Sequence, residues 1–199
     1  MRFDRFLYVT LTLVILFWGA CIELPMPNIK METIPELKVG SPLSGVKPVT
    51  FYVKRFGDEV GEMIEVIPVG HAKGFIKIDI PANQLFSQAI ANELKRNGHT
   101  VFLYENDGKA DIIVDGVAKK YLIEFPISTF HSRNTGYAEA EITLIKISDA
   151  TESMSKLYRG SFDCRTVDRT CLYETLLDMV KDFSTDPDLL EFVKSVRKD

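Results

Sequence analysis

Apolar and polar residues alternate along several stretches of the chain, which is the pattern of half-buried β-strands. The clearest stretch is 137–148, YAEAEITLIKIS, where alanine, isoleucine and leucine point one way and glutamate and threonine the other. Such a strand has one buried face and one wet face. The other predicted strands are 49–56, 63–70, 99–105, 110–125 and 156–164, with a bulge or bend expected at Gly116.

Three other stretches repeat apolar residues at helical spacing. The first is 81–97, and two more helices close the chain, the last beginning at Asp186-Pro187. The predicted order is β-β-α-β-β-β-β-α-α. Because the late strands follow one another through short turns, they favour an antiparallel sheet. The predicted fold class is therefore α+β, an antiparallel sheet with helices on one face in a two-layer sandwich.

The N-terminal segment is the most apolar part of the chain. Two arginines precede an apolar run over 6–18, which as a helix would span only about 20 Å, short of a bilayer's hydrocarbon core. Small residues, Gly19 and Ala20, follow the run and stand directly before Cys21. A basic start, a short apolar core and small residues are typical of a secretory signal peptide.

The sequence Gly19-Ala20-Cys21 resembles the end of a bacterial lipoprotein signal, although Trp18 stands where that pattern prefers an aliphatic residue. The resemblance implies removal of residues 1–20 and attachment of fatty acyl groups such as palmitate to Cys21. Two or more acyl chains make attachment to a membrane stable. By resemblance to enterobacterial lipoproteins, Ile22 after the cysteine favours the periplasmic face of the outer membrane, with the inner membrane as an alternative. A plain signal peptide or an uncleaved anchor with an incidental cysteine is the other interpretation.

Proline is concentrated in the segment that follows. Residues 21–48 hold five of the nine prolines in the chain. Proline blocks helix and favours extended chain, so this segment is predicted to be a tether that reaches about 80 Å when fully extended. Docking of apolar residues on the domain would shorten it; the candidates are Ile29, Ile34, Leu37 and Val39. The folded domain is then predicted to occupy residues 49–199.

Several stretches together resemble one family. They are VGHAKGF, a helix ending in LKRNGHTV, the strand ADIIVDGVAKKY, the strand AEAEITLIKISDA, and LYRGSF. With the lipoprotein signal, this plan is similar to that of the YajG-like and ABC-transport-auxiliary lipoproteins of Gram-negative envelopes, over about residues 48–182. The resemblance implies a non-catalytic periplasmic domain tethered to a membrane, and it supplies no catalytic residues.

Composition narrows the classes of partner. The chain has 199 residues, 46% of them hydrophobic, and a net charge of −4. This composition is that of a globular protein. A mildly acidic chain does not attract phosphate backbones, so we expect no nucleic-acid partner.

Cys164 and Cys171 lie in the part of the chain predicted to be exported, where disulfides persist. We expect them to form a disulfide, which over a ring of about eight residues would stabilise the fold by roughly 2.5 kcal/mol in the chain-entropy model. Two reduced, buried cysteines are the alternative. No histidine lies nearby in sequence, so a metal site is not expected.

Candidate catalytic residues are few. His71, His99 and His131 share no spacing that is typical of a zinc site. His131 and Ser132 are adjacent, and adjacent residues of an extended segment point apart, so they rarely pair as base and nucleophile. The sequence contains no phosphate loop, dinucleotide fingerprint or nucleophile elbow. We therefore expect no enzyme activity, no cofactor and no metal.

Two hypotheses of function follow. The preferred one is a lipid-anchored envelope protein that acts as an accessory or assembly factor and binds another envelope component. The apolar strip 121–130, YLIEFPISTF, would be its docking surface if part of the strip were exposed. The alternative is a carrier of lipid or another small ligand, with an apolar groove between helix 81–97 and the sheet.

Overall fold

The computed structural model describes residues 28–31, 34, 40–61, 63–68, 74–105, 108–125 and 133–196. Within them the chain forms nine strands, one 3-10 helix at Pro42–Gly45 and three α-helices. The strands are β1 Asn28–Ile29, β2 Thr50–Val53, β3 Gly57–Asp58, β4 Met63–Pro68, β5 Gly74–Ile78, β6 Thr100–Leu103, β7 Ile112–Phe125, β8 Asn134–Lys146 and β9 Ser153–Cys164. The α-helices are α1 Ala82–Arg96, α2 Arg169–Ser184 and α3 Pro187–Ser195.

The long strand β7 organises the sheet. Along one edge it pairs antiparallel with β8, which pairs antiparallel with β9. Along its other edge it pairs in turn with three short strands, β2, β3 and β4, all of them parallel to it. β6 extends the sheet beyond β2, while β5 and then β1 extend it beyond β4.

The α+β class with helices on one face is confirmed, but the sheet is mixed and not wholly antiparallel as predicted. Parallel strands need a crossover connection between them. The chain between β2 and β6 supplies one, because it includes α1 and brings β6 back to the end of the sheet where β2 starts. The prediction took account only of the short turns late in the chain, and those do join the antiparallel strands β7, β8 and β9.

The helices cover the face of the sheet on which the core lies. Alternate residues of β7 and β8 are buried on this face, including Val114, Ala140 and Leu144. Tyr121 joins both main helices to the sheet. Its ring meets that of Phe86 in α1 edge to face at 5.3 Å, and its hydroxyl donates to the Leu172 carbonyl of α2 at 2.8 Å.

The irregularity of β7 lies further along the strand than predicted. The register with β8 shifts between Ala118 and Lys120, so the expected bend at Gly116 is wrong by two or three residues. Gly116 serves close packing instead, because a Cβ there would meet the ring of Phe56 and the carbonyl of Glu141 at 2.9 Å.

α2 also closes the outer edge of β9. The carboxylate of Asp178 accepts from the backbone N–H of Ser161, and that of Asp182 from the N–H of Arg159, both at 3.0 Å. Unpaired N–H groups on an edge strand invite pairing with another chain. At these two positions the helix satisfies them, so strand addition to this part of β9 is blocked.

Part of the predicted tether lies on the domain. Met31 and Leu43 are buried, and Ile34, one of the expected docking residues, is buried with them. The backbone N–H of Met31 donates to Asp79 at 2.7 Å. The hydroxyl of Ser41 donates to the Ser184 carbonyl at 2.8 Å. Leu37, Val39 and residues 1–27, including the leader and Cys21, lie outside the described residues, so their assignment stays a prediction.

Candidate functional site

The two cysteines predicted to pair are joined in the structure. Cys164 ends β9 and Cys171 lies in the first turn of α2, with a disulfide between them and a Cα–Cα distance of 5.3 Å. Both residues are buried. The bond ties the last strand to the helix that covers it, as the sequence predicts.

The structure describes one of the three histidines. His99 is buried, its Nδ1 accepts from the backbone N–H of Val49 at 3.3 Å, and its ring meets that of Phe51 edge to face. Burial lowers the pKa of His99, and a backbone hydrogen bond with Leu43 opposes that effect. His99 therefore has a structural environment in the core. His71, His131 and Ser132 lie outside the described residues.

Among the described residues, no three His, Cys, Asp or Glu side chains come together as a metal site would require. The helices of the same residues are too short or too polar for any of them to cross a bilayer.

Among the described residues, the two apolar surfaces suggested by the sequence are enclosed by packing. In the strip 121–130, Tyr121 and Ile123 are buried under the helices, Leu122 is only 8% exposed, and residues 126–130 lie outside the described residues. Between α1 and the sheet, the apolar stripe of the helix is fully enclosed; its main members are Leu85, Phe86, Ile90 and Leu94. This packing leaves no groove at that position for a ligand.

The face of the sheet opposite the helices is the remaining candidate. We call it the open face, and it comprises the outward side chains of β2, β6, β7, β8 and β9. Among the described residues no helix covers it. The open face is the main surface of the domain on which strands, rather than helices, present side chains to an outside molecule.

The neighbouring strands β6, β2, β7 and β8 place a row of apolar side chains across the open face, near the start of β7. Tyr52 lies opposite Phe102 on one side and Ile113 on the other, and Ile113 lies opposite Ile145. All four are partly exposed, whereas the neighbours of Tyr52 and Ile113 along their strands are buried in the core. A contiguous apolar row on an otherwise solvated face is typical of a contact surface.

Beside this row the open face carries paired charges. Lys119 contacts Glu59 at 2.6 Å and Glu141 at 3.5 Å, and Lys54 contacts Asp115 at 2.8 Å. The hydrogen bond with Glu59 and the attraction of both glutamates raise the pKa of Lys119 against the opposing effect of burial. Lys54 and Lys119 therefore both have acidic partners on this face.

Two shallow hollows lie on this side of the sheet. One of about 350 Å³ is lined by Asp115, Val117, Thr143 and Ile145. The hydroxyls of Thr143 and Ser155 lie 2.9 Å apart beside it. Another hollow of about 320 Å³ is lined by Phe75, Leu122 and the charged groups around Lys119. Both are open to solvent, so their shape suits a protruding side chain of a partner better than an enclosed ligand.

Sequence reasoning missed the open face as a candidate, although a signal for it was present. In the strand 110–125, isoleucine and valine occupy consecutive positions, as in Ile112-Ile113-Val114, so they point to both faces of the sheet. An apolar residue on the wet face of a half-buried strand was the sign that this face has apolar character of its own.

Comparison with known proteins shows a likeness of fold. No family model matches the chain, and no curated protein matches its sequence. Among solved structures, a Xanthomonas campestris protein described as a DUF330 family member covers 85% of this chain over 95% of its own length. The TM-score is 0.57 at 10% identity. At that identity the likeness shows the fold alone.

Weaker likenesses lie in other bacteria. A hypothetical protein from Chlamydia trachomatis covers 77% of the chain over its whole length, at 7% identity and a TM-score of 0.48. A Neisseria meningitidis lipoprotein covers 68% of the chain over 98% of its own length, at 12% identity and a TM-score of 0.38. Neither likeness is strong enough to carry an argument, and none is specific to the YajG-like family.

Proposed function

We propose that this protein is a lipid-anchored, non-catalytic accessory protein of the bacterial envelope that binds another envelope protein through its open face. Its anchor is Cys21, and its domain lies in the periplasm, on the inner side of the outer membrane. The observation that carries the proposal is the apolar row Phe102, Tyr52, Ile113 and Ile145 on a face that no described helix covers.

Two further features support the proposal. The Cys164–Cys171 disulfide suits an oxidising compartment such as the periplasm. The open face combines apolar side chains with charges that are already paired, as around Lys119. Contact surfaces between proteins have an apolar centre with polar and charged groups at the rim. The accessory function is therefore one of binding.

The test compares two surface variants purified from native membranes in mild detergent. Thr143→Arg places a long cation at the centre of the open face, and Asn92→Arg places the same side chain on the exposed surface of α1. Neither site belongs to the core, so both variants should fold. We expect proteins that accompany the wild type and the Asn92 variant to be lost from the Thr143 variant, as measured by quantitative mass spectrometry.

Two results would count against this function. If both variants retain the same proteins, binding does not use the open face. If the wild type is recovered without an accompanying protein, a stable protein partner is ruled out. The anchor is tested separately, since Cys21→Ser should release the protein from the membrane fraction and abolish incorporation of labelled palmitate.

A further inference from the structure

The first strand shows from which side the chain reaches the domain. β1 runs parallel to β5, with Asn28 opposite Lys77 and Ile29 opposite Ile78. β5 runs antiparallel to β4, and β4 runs parallel to β7. β1 therefore descends from the end of the sheet where β7 finishes at Phe125 and β8 begins at Asn134. We call this end the tip.

The distance from Cys21 to the domain is short. About seven peptide links separate Cys21 from Asn28, which limits the span to about 25 Å. Asn28 lies near the level of Lys120, so β7 continues for about five residues, or roughly 17 Å, beyond it toward the tip. If the sheet stands upright and the link runs on in the direction of β1, an anchor at Cys21 would hold the tip within about 8 Å of the lipid surface. This step rests on the proposed lipid anchor.

Two exposed aromatic side chains lie near the tip. Phe75 is 36% exposed and Phe162 is 38% exposed. The two rings sit almost at one level of the sheet. Strand pairing connects Phe162 of β9 across the sheet to Gly74 of β5, the residue before Phe75; the pairs are Phe162–Gly136, Gly136–Ile123, Ile123–Val66 and Val66–Gly74. The two rings belong to opposite faces of the sheet. An aromatic ring on each face at the same height suits an end that enters an interface.

The charged groups near the tip are of both signs. Arg165 and Arg169 are exposed at the junction of β9 and α2, and the Arg133 side chain is 75% exposed beside Asp163 at 3.9 Å. Three carboxylates stand against these three arginines: Glu124, Asp163 and Asp168. The exposed aromatic rings, which favour a membrane interface, are therefore the main attraction of the tip to a bilayer.

We propose that the tip of the sheet rests on the bilayer that holds the Cys21 anchor, with Phe75 and Phe162 in the headgroup region. The sheet then stands upright on the membrane. The apolar row of the open face lies at the end of the sheet away from the bilayer and remains accessible to a partner from the side, while the hollow beside Phe75 lies at the membrane. The long tether expected from the sequence is replaced by a short link.

The sequence provides a clean reporter for this arrangement. The one tryptophan of the chain is Trp18, which lies in the predicted leader, so the mature chain has none. A single tryptophan can be introduced at Phe75 or Phe162 at the tip, or at Ile147 at the opposite end of the sheet. Ile147 is the matched control, since it is apolar and 43% exposed.

The experiment uses the acylated mature protein in vesicles of phosphatidylethanolamine and phosphatidylglycerol with brominated acyl chains. We expect about a twofold loss of emission for Phe75→Trp and Phe162→Trp, and no loss for Ile147→Trp, because interfacial groups lie 5–10 Å deep. Shielding of the two tip reporters from aqueous acrylamide is the second measurement. Circular dichroism checks that each variant is folded.

The outcomes separate this inference from the proposed function. If Cys21 takes up labelled palmitate but the tip reporters are not quenched, or the Ile147 reporter is quenched as strongly, the orientation is wrong and the anchor stands. If Cys21 takes up no palmitate, the anchor itself is wrong and the orientation falls with it. Quenching confined to Phe75→Trp and Phe162→Trp establishes both.

Discussion

At Gly160 of β9 the backbone of α2 lies directly against the sheet. A Cβ added there would overlap the backbone nitrogen of Met179 and lie 2.8 Å from its Cα, and the carbonyl of Thr175 would be 2.5 Å away. All of these atoms belong to the backbone of α2. A backbone cannot rotate aside as a side chain can, so Gly160→Ala must push the helix off the sheet.

The loss of stability expected for Gly160→Ala depends on the side chains that α2 buries. Overpacking of a core costs about 1–3 kcal/mol and occasionally more. The upper end applies here because α2 moves as a body and carries fully buried side chains such as Leu172, Leu176 and Phe183. We expect Gly160→Ala to lower the free energy of unfolding by about 3 kcal/mol, a large part of the 5–15 kcal/mol that is usual for a domain.

Gly45→Ala is the matched control. Nothing lies within 4 Å of a Cβ at Gly45, and its φ is not positive. Alanine at such a site restricts the unfolded chain and stabilises by about 0.4–1 kcal/mol. Urea unfolding followed by far-UV circular dichroism measures both variants. If the midpoint of Gly160→Ala lies with that of Gly45→Ala, the close approach of α2 to β9 is wrong.

Gly136 supplies an internal check on the same reasoning. A Cβ there would meet the side chain of Thr175, chiefly its hydroxyl, rather than the helix backbone. Gly136→Ala should therefore cost less than Gly160→Ala. Adding Thr175→Ala should recover part of the loss in Gly136→Ala, and none of it in Gly160→Ala. Equal recovery in the two backgrounds would contradict the distinction between side-chain and backbone overlap.

Three further predictions concern buried polar groups and the disulfide. The hydroxyl of Tyr158 donates to the buried carboxylate of Asp186 at 2.8 Å, so Tyr158→Phe should lower the free energy of unfolding by about 1.5–3 kcal/mol. A double-mutant cycle should show a smaller loss in an Asp186→Asn background, and equal losses in the two backgrounds would oppose this. Reduction of the Cys164–Cys171 bond should lower the free energy of unfolding by roughly 2.5 kcal/mol, and an unchanged urea midpoint in reductant would oppose it. Burial lowers the pKa of His99 below its ordinary value of 6.5, so the unfolded chain binds a proton more readily than the folded one. The free energy of unfolding should therefore fall as the pH drops below about 6.5. His99→Asn should flatten this fall, and an unchanged slope would show that His99 does not cause it.

Most of the long elements could be predicted from the sequence, because their patterns extend over many residues. The stripe of α1 and the alternation of β8 both appear in the structure at nearly the predicted positions. The cysteine pair could be predicted as well, since two cysteines seven positions apart at the junction of a strand and a helix suit one short ring. These features depend on local spacing alone.

Two of the three missed strands depend on partners that are distant in sequence, whereas the third, β5, pairs with the preceding strand β4 and has only five residues to show a pattern. β1 and β3 have two residues each, so neither carries a period of its own, and each exists because it pairs with a distant strand. The buried position of Met31 in the predicted tether has the same cause. Its backbone N–H pairs with Asp79, which no local pattern connects to it. Parallel pairing along β7 was missed for this reason too.

The contacts of α2 bear directly on how a partner could bind. Gly160 sets the helix against β9, Asp178 and Asp182 close the outer edge of that strand, and the Cys164–Cys171 bond ties the strand to the start of the helix. All of these constraints act on the covered side of the sheet, so they hold the open face in a fixed shape. A preformed surface loses little conformational entropy on binding. Since β9 cannot accept an added strand where α2 closes its edge, a partner that reaches this end of the sheet must bind across its face.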